Sequence, residues 1–493
     1  MAAAAGVFGG DEVSAIALDL GCASLRVGWA GEDTPRAILP SVVASSSSSS
    51  SSSNDAEGDT SMADVAGAAA EGSKSSGSSS SNNNKRRKRF VGDQAASIFR
   101  PNTALDAVLD PATALFPATS LSAATEAFTD LAEHALTSIL SADPTQHPLI
   151  LTEPSHNTRD AREALTELVF EQLQAPAYYL ANQTVLSAFA SGKGTALILD
   201  IGASHATASP VLDGFVLRKG IHRQPIGGSA VTRALQWSVS QATALPSSAR
   251  LSPHTAIDII PSYLIKSKTA VEPGAAPNYL LRQDRLTGSH PSYRAYHDFR
   301  TLTDFKEAIA AVIDQTPWNE AAALTRPTRH YEFPTGFSDV FGIERFRSAE
   351  ILFTPSLWDG HTLPDGTPVL PALPPTGGGA NNQPPKPYCS TTQLVLDAIN
   401  EADVDIRSSL ASNIVLVGGA SCTPGLVDRL SYELGVGAAG QKTKLHAPGN
   451  PIERRYSSWL GASILASLGT FHQLWISRQE YEEHGVSIVA RCK

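Results

Sequence analysis

Short apolar runs separated by glycine turns recur along this chain in one particular order. Val13–Leu20 is an apolar run carrying Asp19, followed by the turn Gly21-Cys22-Ala23-Ser24, a second run Leu25–Ala30 and the turn Gly31-Glu32-Asp33. Far downstream, Thr195–Leu199 leads into Asp200, then Ile201-Gly202-Ala203-Ser204, a run His205–Val211, the turn Asp213-Gly214 and a third run Phe215–Ile221. An Asp-Gly pair between apolar runs is a hairpin signal. Each copy therefore predicts an antiparallel hairpin whose first strand ends in an acidic residue beside a glycine. Between the copies, Ala124, Ala127, Phe128, Leu131, Ala135 and Ile139 recur at helical spacing. His147–Leu151 has the pattern of a buried strand, and Asn157 or Thr158 can cap a helix whose Leu165, Leu168, Val169 and Leu173 share one face. Strands mixed with helices in this way predict an α/β protein.

A third element has related chemistry. Asn413–Val417 reads as a strand entering Gly418-Gly419-Ala420-Ser421, and Thr423 with Pro424 is placed to cap and open a helix through Leu434. Glycine lets a backbone approach a ligand closely, free N–H groups and helix termini attract anions, and carboxylates can hold a hydrated divalent cation. A diglycine turn alone more often simply ends a strand. Following two facing hairpins, it points to a polyphosphate nucleotide.

Composition narrows the class. The chain has 493 residues, enough for two or more domains, with 42% hydrophobic and 17% charged residues, as in ordinary globular proteins. A net charge of −10 argues against a generally basic nucleic-acid binder. The four cysteines, Cys22, Cys389, Cys422 and Cys492, are scattered without CxxC spacing, which fits a reducing compartment better than a zinc site or a disulfide framework. No apolar stretch approaches the roughly 20 residues of a membrane span, and Met1–Gly10 lacks the pattern of a secretory signal. Two stretches interrupt the ordered pattern. The serine-rich segment 41–90 has too few large apolar groups to offset the entropy of ordering and is expected to be disordered; 370–387, with Gly377-Gly378-Gly379 and several prolines, is expected to be flexible.

Specific wording then carries a resemblance. Asp19-Leu20-Gly21 through Trp29-Ala30-Gly31-Glu32-Asp33-Thr34-Pro35-Arg36 resembles the first phosphate loop of the actin family. Leu151-Thr152-Glu153-Pro154, Glu344-Arg345-Phe346-Arg347, Asp403-Val404-Asp405-Ile406-Arg407 and the closing runs Ser457-Ser458-Trp459-Leu460-Gly461 and Trp475-Ile476-Ser477-Arg478-Gln479-Glu480-Tyr481 are further markers of that family. The likeness covers most of the chain outside the two interruptions. It implies an actin-like α/β fold of two duplicated RNase H-like domains around a nucleotide cleft. The first half would span 1–188, the second 189–450, and 451–493 would form a helical segment returning to the first half. Gly9-Gly10-Asp11-Glu12, Ser155-His156-Asn157-Thr158-Arg159, Glu332-Phe333-Pro334-Thr335-Gly336 and the early polar insertion are similar to a nuclear branch of the family. That branch consists of shared subunits of chromatin-remodelling and histone-acetyltransferase complexes.

The resemblance implies ATP and Mg2+ as ligands. Asp19 and Asp200 match carboxylates that hold hydrated magnesium; Gly21 and Gly202 match glycines approaching the phosphates, with Cys22, Ala23, Ala203 and Ser204 in the same turns. Gly418, Gly419 and Ala420 match the nucleoside-contacting turn, Arg26 stands where actin has a phosphate-binding lysine, and Gln183 matches the glutamine that positions the attacking water. Two departures stand against turnover. Cys22 replaces a serine hydroxyl with a poorer hydrogen-bond donor, and Asp200-Ile201-Gly202-Ala203-Ser204 lacks a carboxylate and a glycine of the second loop. ATP binding with little or no hydrolysis is the expectation. Gln183, Cys22 and His205 each also fit a purely structural role.

The run Lys85-Arg86-Arg87-Lys88-Arg89 reads as a nuclear-import signal, with DNA contact or a solvated charge cluster as alternatives. A disordered tract in the outer domain argues against a repeating filament contact, so no homopolymer is expected. Expected partners are nuclear actin and the helicase-SANT-associated helix of a remodelling ATPase or acetyltransferase scaffold, received near Leu465, Leu468, Phe471, Leu474 and Trp475. Histones or nucleosomes are further candidates, and a membrane is not. An active filament-forming ATPase is the main alternative; a kinase or chaperone ATPase of the same superfamily is disfavoured by the actin-like C-terminal run.

Overall fold

The first hairpin forms where the pattern places it. β1 (Ile16–Leu20) pairs antiparallel with β2 (Ser24–Trp29), bringing Asp19 opposite Arg26 and Leu20 opposite Leu25. β3 (Ala37–Pro40) adds antiparallel to β2. β4 (Val42–Ser46), β5 (Arg89–Phe90) and β6 (Thr103–Ala107) make a separate three-stranded outer sheet. β7 (Leu149–Glu153) lies parallel to β1, and β8 (Ala177–Asn182) parallel to β7. Every residue of β1 and β7 is buried, as expected for parallel strands covered on both faces.

The second half repeats this order. β9 (Ala196–Ile201) and β10 (Ala206–Leu212) form the hairpin, extended by β11 (Phe215–Val216) and β12 (His222–Gln224), both antiparallel to β10. Two small ribbons follow, β13 (Ile265–Thr269) with β14 (Asn278–Leu281), and β15 (Arg329–Glu332) with β16 (Ser338–Phe341). β17 (Ile414–Val417) is parallel to β9 and β18 (Leu445–His446) parallel to β17. The strand orders β3-β2-β1-β7-β8 and β12-β10-β9-β17-β18 are therefore equivalent, an actin-like duplication. β19 (Ile476–Ser477) closes the first sheet against β8.

The computed structural model describes residues 14–46, 89–241, 248–252, 256–314, 316–373, 387–438 and 442–492. Two principal cores stand behind the two sheets. Trp459, Ala462, Phe471, Trp475 and Ile476 bury in the first of them, so the C-terminal segment packs on the first half. The helix Leu121–Glu133 carries the predicted apolar face, with Phe128 and Leu131 buried, and continues as a π-helical turn over His134–Ile139. Thr158 is the cap of the next helix, accepting from the Ala161 N–H at 3.2 Å.

Four expectations change. The third run of the second copy is broken: β11 ends at Val216 and Arg218–Gly220 forms a 3-10 turn before β12 begins. Pro210 in β10 has no N–H to donate, and a Cβ on Gly220 would stand 2.8 Å from its ring, so the chain arcs around it. Thr423 does not cap the last helix; its hydroxyl donates back to Ala420 O at 2.8 Å. The helix starts at Leu426 behind Gly425, whose φ of 82° and closeness to Val312 O demand glycine. The serine-rich segment is entered by β4 as far as Ser46 and left at Arg89, so ordered backbone intrudes on both ends of 41–90; 47–88 lie outside the described residues. Leu370 is buried in the second core, which shortens the other interruption, and 374–386 lie outside the described residues.

Candidate functional site

The two hairpin loops have the same closure. The Gly21 N–H donates to Ser24 O at 3.0 Å, and the Gly202 N–H donates to His205 O at 2.9 Å. Each loop is thus a four-residue turn at the end of a strand that bears an aspartate. β17 lies beside β9 with Val417 opposite Asp200, which delivers Gly418 to the second loop. Gly418 has φ of 93°, and a Cβ there would fall 2.2 Å from Asp200 Oδ1 and 2.4 Å from Ile201 O. Only glycine fits. Gly419, by contrast, faces open space.

The two aspartates sit in opposite circumstances. Asp19 is fully buried, and four side chains donate to it: Arg26 Nη1 at 2.7 Å and Ser458 Oγ at 2.8 Å to Oδ2, Thr152 Oγ1 at 2.6 Å and Gln183 Nε2 at 3.1 Å to Oδ1. Burial pushes its carboxyl up, but the Arg26 charge and these hydrogen bonds outweigh that and hold it below the usual carboxylate range. With about two lone-pair sites per oxygen, Asp19 has little acceptor capacity left. Asp200 is half-buried at the end of β9, and no hydrogen bond from the described residues reaches its carboxylate. Burial raises its pKa to about 6, Arg26 opposing and Asp19 adding to the rise. The two carboxylates are equivalent in their spacing from glycine; in the fold, Asp200 is the one without a protein donor among the described residues, and so the one open to the water shell of a cation.

Between the loops, Ser204 Oγ donates to Cys22 Sγ at 3.1 Å and lies 2.9 Å from His205 Nδ1. Burial raises the Cys22 thiol pKa and lowers that of His205 to about 3, which keeps the imidazole neutral. Gln183 opens the helix Gln183–Ala190, and its Nε2 also reaches Thr152 Oγ1 at 3.1 Å and Leu20 O at 3.3 Å. Its amide is thereby tied to β1 and β7.

Several contributors escape the sequence reading. Gly227 and Gly228 pack on the second loop: the Gly228 N–H donates to Gly202 O at 3.0 Å and the Ser229 N–H to Ala203 O at 2.7 Å. Lys306, late in the helix Pro291–Ile309, places Nζ 3.4 Å from Gly228 O, and burial lowers its pKa. Arg454 donates to Ser421 O at 3.1 Å. Thr152 and Ser458 complete the shell of Asp19. Arg26 Nε and Arg454 Nε are buried donors without partners among the described residues, positions that an anionic or polar ligand would satisfy. Glycine loops, Arg26, Lys306 and one free carboxylate together suit a polyphosphate with a hydrated cation. No group of three or more potential metal-ligating side chains occurs among the described residues.

The remaining predicted residues lie elsewhere. Arg89 is in β5 and pairs with Glu126 at 3.1 Å and Asp130 at 3.2 Å, while Lys85, Arg86, Arg87 and Lys88 lie outside the described residues. In the proposed partner region, Phe471 and Trp475 are core; Leu468 and Leu474 are exposed at 39% and 50%.

Comparison with known proteins agrees with this architecture. A family model described as Actin matches residues 10–493. The chain is 43% identical to actin-related protein 4 of Mycosarcoma maydis over 99% of its own length and 100% of that protein. It is 38% identical to actin-related protein 4 of Arabidopsis thaliana, covering 98% and 99% of the two chains, and 34% identical to that of Schizosaccharomyces pombe, covering 99% of each. With duplicated hairpins whose loops meet at Ser204 and Cys22 and a match running through both halves, this chain belongs to the actin family.

Proposed function

We propose that this chain is a nuclear actin-related scaffold subunit of chromatin-remodelling and histone-acetyltransferase complexes, binding ATP with Mg2+ and hydrolysing it little or not at all. The single observation that carries the low turnover is the saturation of Asp19 by Arg26, Ser458, Thr152 and Gln183. Phosphoryl transfer depends on positioned charge and a positioned water. Here one carboxylate is occupied by protein donors, and the amide that would orient the water is engaged with it.

Binding makes smaller demands. Gly21, Cys22, Ala23, Gly202, Ala203 and Ser204 would receive the phosphates on their backbone, with Arg26 and Lys306 supplying positive charge. Gly418, Gly419 and Ala420 would meet the nucleoside, and Asp200 would hold the cation through water. ATP in that place would tie the two halves together. Nuclear actin and a helicase-SANT-associated helix are the proposed partners, the exposed Leu468 and Leu474 suiting a helix-in-groove contact. Histones or nucleosomes are further proposed partners; a homopolymer is not. Among the described residues no helix is long and apolar enough to cross a membrane.

An active filament-forming ATPase is the second reading, favoured by the presence of Gln183 within 3.1 Å of Asp19. Purified monomer, denatured and analysed for released nucleotide, separates the two. Recovered ATP supports the scaffold; recovered ADP, with ATP-dependent sedimentation at rising protein concentration, supports the filament.

A further inference from the structure

The second half carries an open cleft that shares no residue with the phosphate loops or with the groove near Leu468 and Leu474. It measures about 740 Å3 and lies between the chain around Trp318, the turn Pro355–Trp358 and the helix Leu426–Gly437. Its walls are tied together underneath. Arg429, buried one turn before Tyr432 on that helix, donates to Ile313 O at 3.0 Å and to Glu350 Oε1 at 3.0 Å. The Val312 N–H donates to Pro424 O at 2.8 Å. Leu357 is followed by Trp358, which is wholly buried in the second core. The cleft is therefore preformed, which lowers the ordering cost of binding.

Two aromatic rings stand at this cleft without ring partners. Trp318 is half-buried and packs on the small core of Ile313, Ala323 and Phe346, while Tyr432 is 55% exposed. Neither makes an aromatic or cation–π contact among the described residues. The charged groups beside them, Asp314 and Glu320, are both acidic, and no cationic side chain lines the cleft among the described residues. Asp314 pairs with Arg326, but both partners are partly exposed, so that pair is weak and open to exchange. Glu320 has no ion-pair partner among the described residues. Val436, one turn after Tyr432 and 68% exposed, adds apolar surface on the same helix face.

We propose that this cleft docks a partner protein through an arginine-bearing segment. The guanidinium lies against Trp318 and Tyr432 and pairs with Glu320, and an apolar neighbour in the same segment covers Leu357 and Val436. Charge decides the class of occupant. A purely apolar one would take the carboxylates of Asp314 and Glu320 out of water unpaired, and an acidic one would be repelled. A guanidinium is planar and weakly hydrated, and it can stack on a ring while bonding a carboxylate. The cleft is larger than one side chain, so residues beside the arginine enter with it, which favours a chain segment over a free cation. Tryptophan, tyrosine and arginine are also the residue types on which interface energy concentrates.

The test titrates the full chain into a fluorescein-labelled peptide, Gly-Ser-Leu-Arg-Leu-Ser-Gly, and into the same peptide with citrulline, a neutral isostere, in place of arginine. Anisotropy should give a Kd below about 1 mM for the arginine peptide, and binding at least about tenfold weaker for the citrulline peptide. Trp318→Ala and Tyr432→Ala should each weaken the arginine peptide at least about tenfold, with Tyr432→Phe close to wild type. Glu320→Gln should weaken it about threefold and flatten its salt dependence. Trp318 also serves a core, so Tyr432→Ala, at an exposed position, decides the matter if Trp318→Ala does not fold. No binding by wild type up to about 1 mM, equal binding of the citrulline peptide, or full binding by Tyr432→Ala overturns the proposal. Arginine amide binding as tightly as the peptide also overturns it, making the cleft a site for small cations. The nucleotide site takes no part in this test, so its outcome is separate from that of the nucleotide reading.

Discussion

Ser204 donates its hydroxyl to the Cys22 thiol across 3.1 Å, joining two hairpin loops that lie 182 positions apart in the chain. The contact spans the place where a polyphosphate would be shared between loops, and a thiol is a weak partner there. Cys22→Ser is therefore expected to tighten ATP binding about tenfold, the scale of one hydrogen bond to a charged group. Competitive displacement of a fluorescent analogue checks it. Unchanged affinity would place Cys22 outside the phosphate contacts.

Asp200 makes stability depend on pH in a definite direction. Its folded pKa of about 6 lies above the ordinary value of 3.8, so the folded chain holds a proton through that window that the unfolded chain has released. Ligand-free protein should lose about 2–3 kcal/mol as pH rises from about 4 to about 6 and nothing further above it. Asp200→Asn should remove this slope, stabilise the empty protein at pH 7 and weaken Mg2+-dependent nucleotide retention. Urea titrations of the empty protein at about pH 4.5 and about pH 7 decide it.

Gly418→Ala combines an unfavourable positive φ with a Cβ 2.2 Å from Asp200 Oδ1. A cost of roughly 3 kcal/mol follows from the two effects together, along with loss of nucleotide retention. Gly419→Ala, facing open space, is the control and should change stability by less than about 1 kcal/mol. Thermal melts of the two variants check the contrast.

The basic run separates into two parts. Arg89 is engaged with Glu126 and Asp130, so it is not free to serve an import receptor in this fold. Replacing Lys85, Arg86, Arg87 and Lys88 by alanine should abolish nuclear accumulation of a fluorescent fusion. Arg89→Ala should leave accumulation intact and cost no more than about 1 kcal/mol of stability.

What could be read ahead of the structure was local. The Asp213-Gly214 turn has both residues at positive φ, 49° and 83°, as a type I′ hairpin requires. A four-residue loop after Leu20 also sets Asp19 opposite Arg26, so that pair was within reach of the hairpin pattern alone. Ser458 and Lys306 were not, because their contacts with Asp19 and Gly228 arise from chain returning over 439 and 78 positions. Thr423 looked like a cap on local propensity, but the close approach of Val312 O to Gly425 decided where the helix begins. The unequal roles of Asp19 and Asp200 were hidden for the same reason: identical spacing from glycine says nothing about which carboxylate the rest of the fold surrounds with donors.

Single-turnover ATP hydrolysis by Mg2+-loaded monomer, with Gln183→Ala beside wild type, tests the central claim most directly. If Asp19 is saturated and the Gln183 amide is tied to it, ATP is recovered intact after hours in both proteins. Steady formation of ADP and phosphate by wild type, abolished in Gln183→Ala, would contradict the account and establish the cleft as a working ATPase.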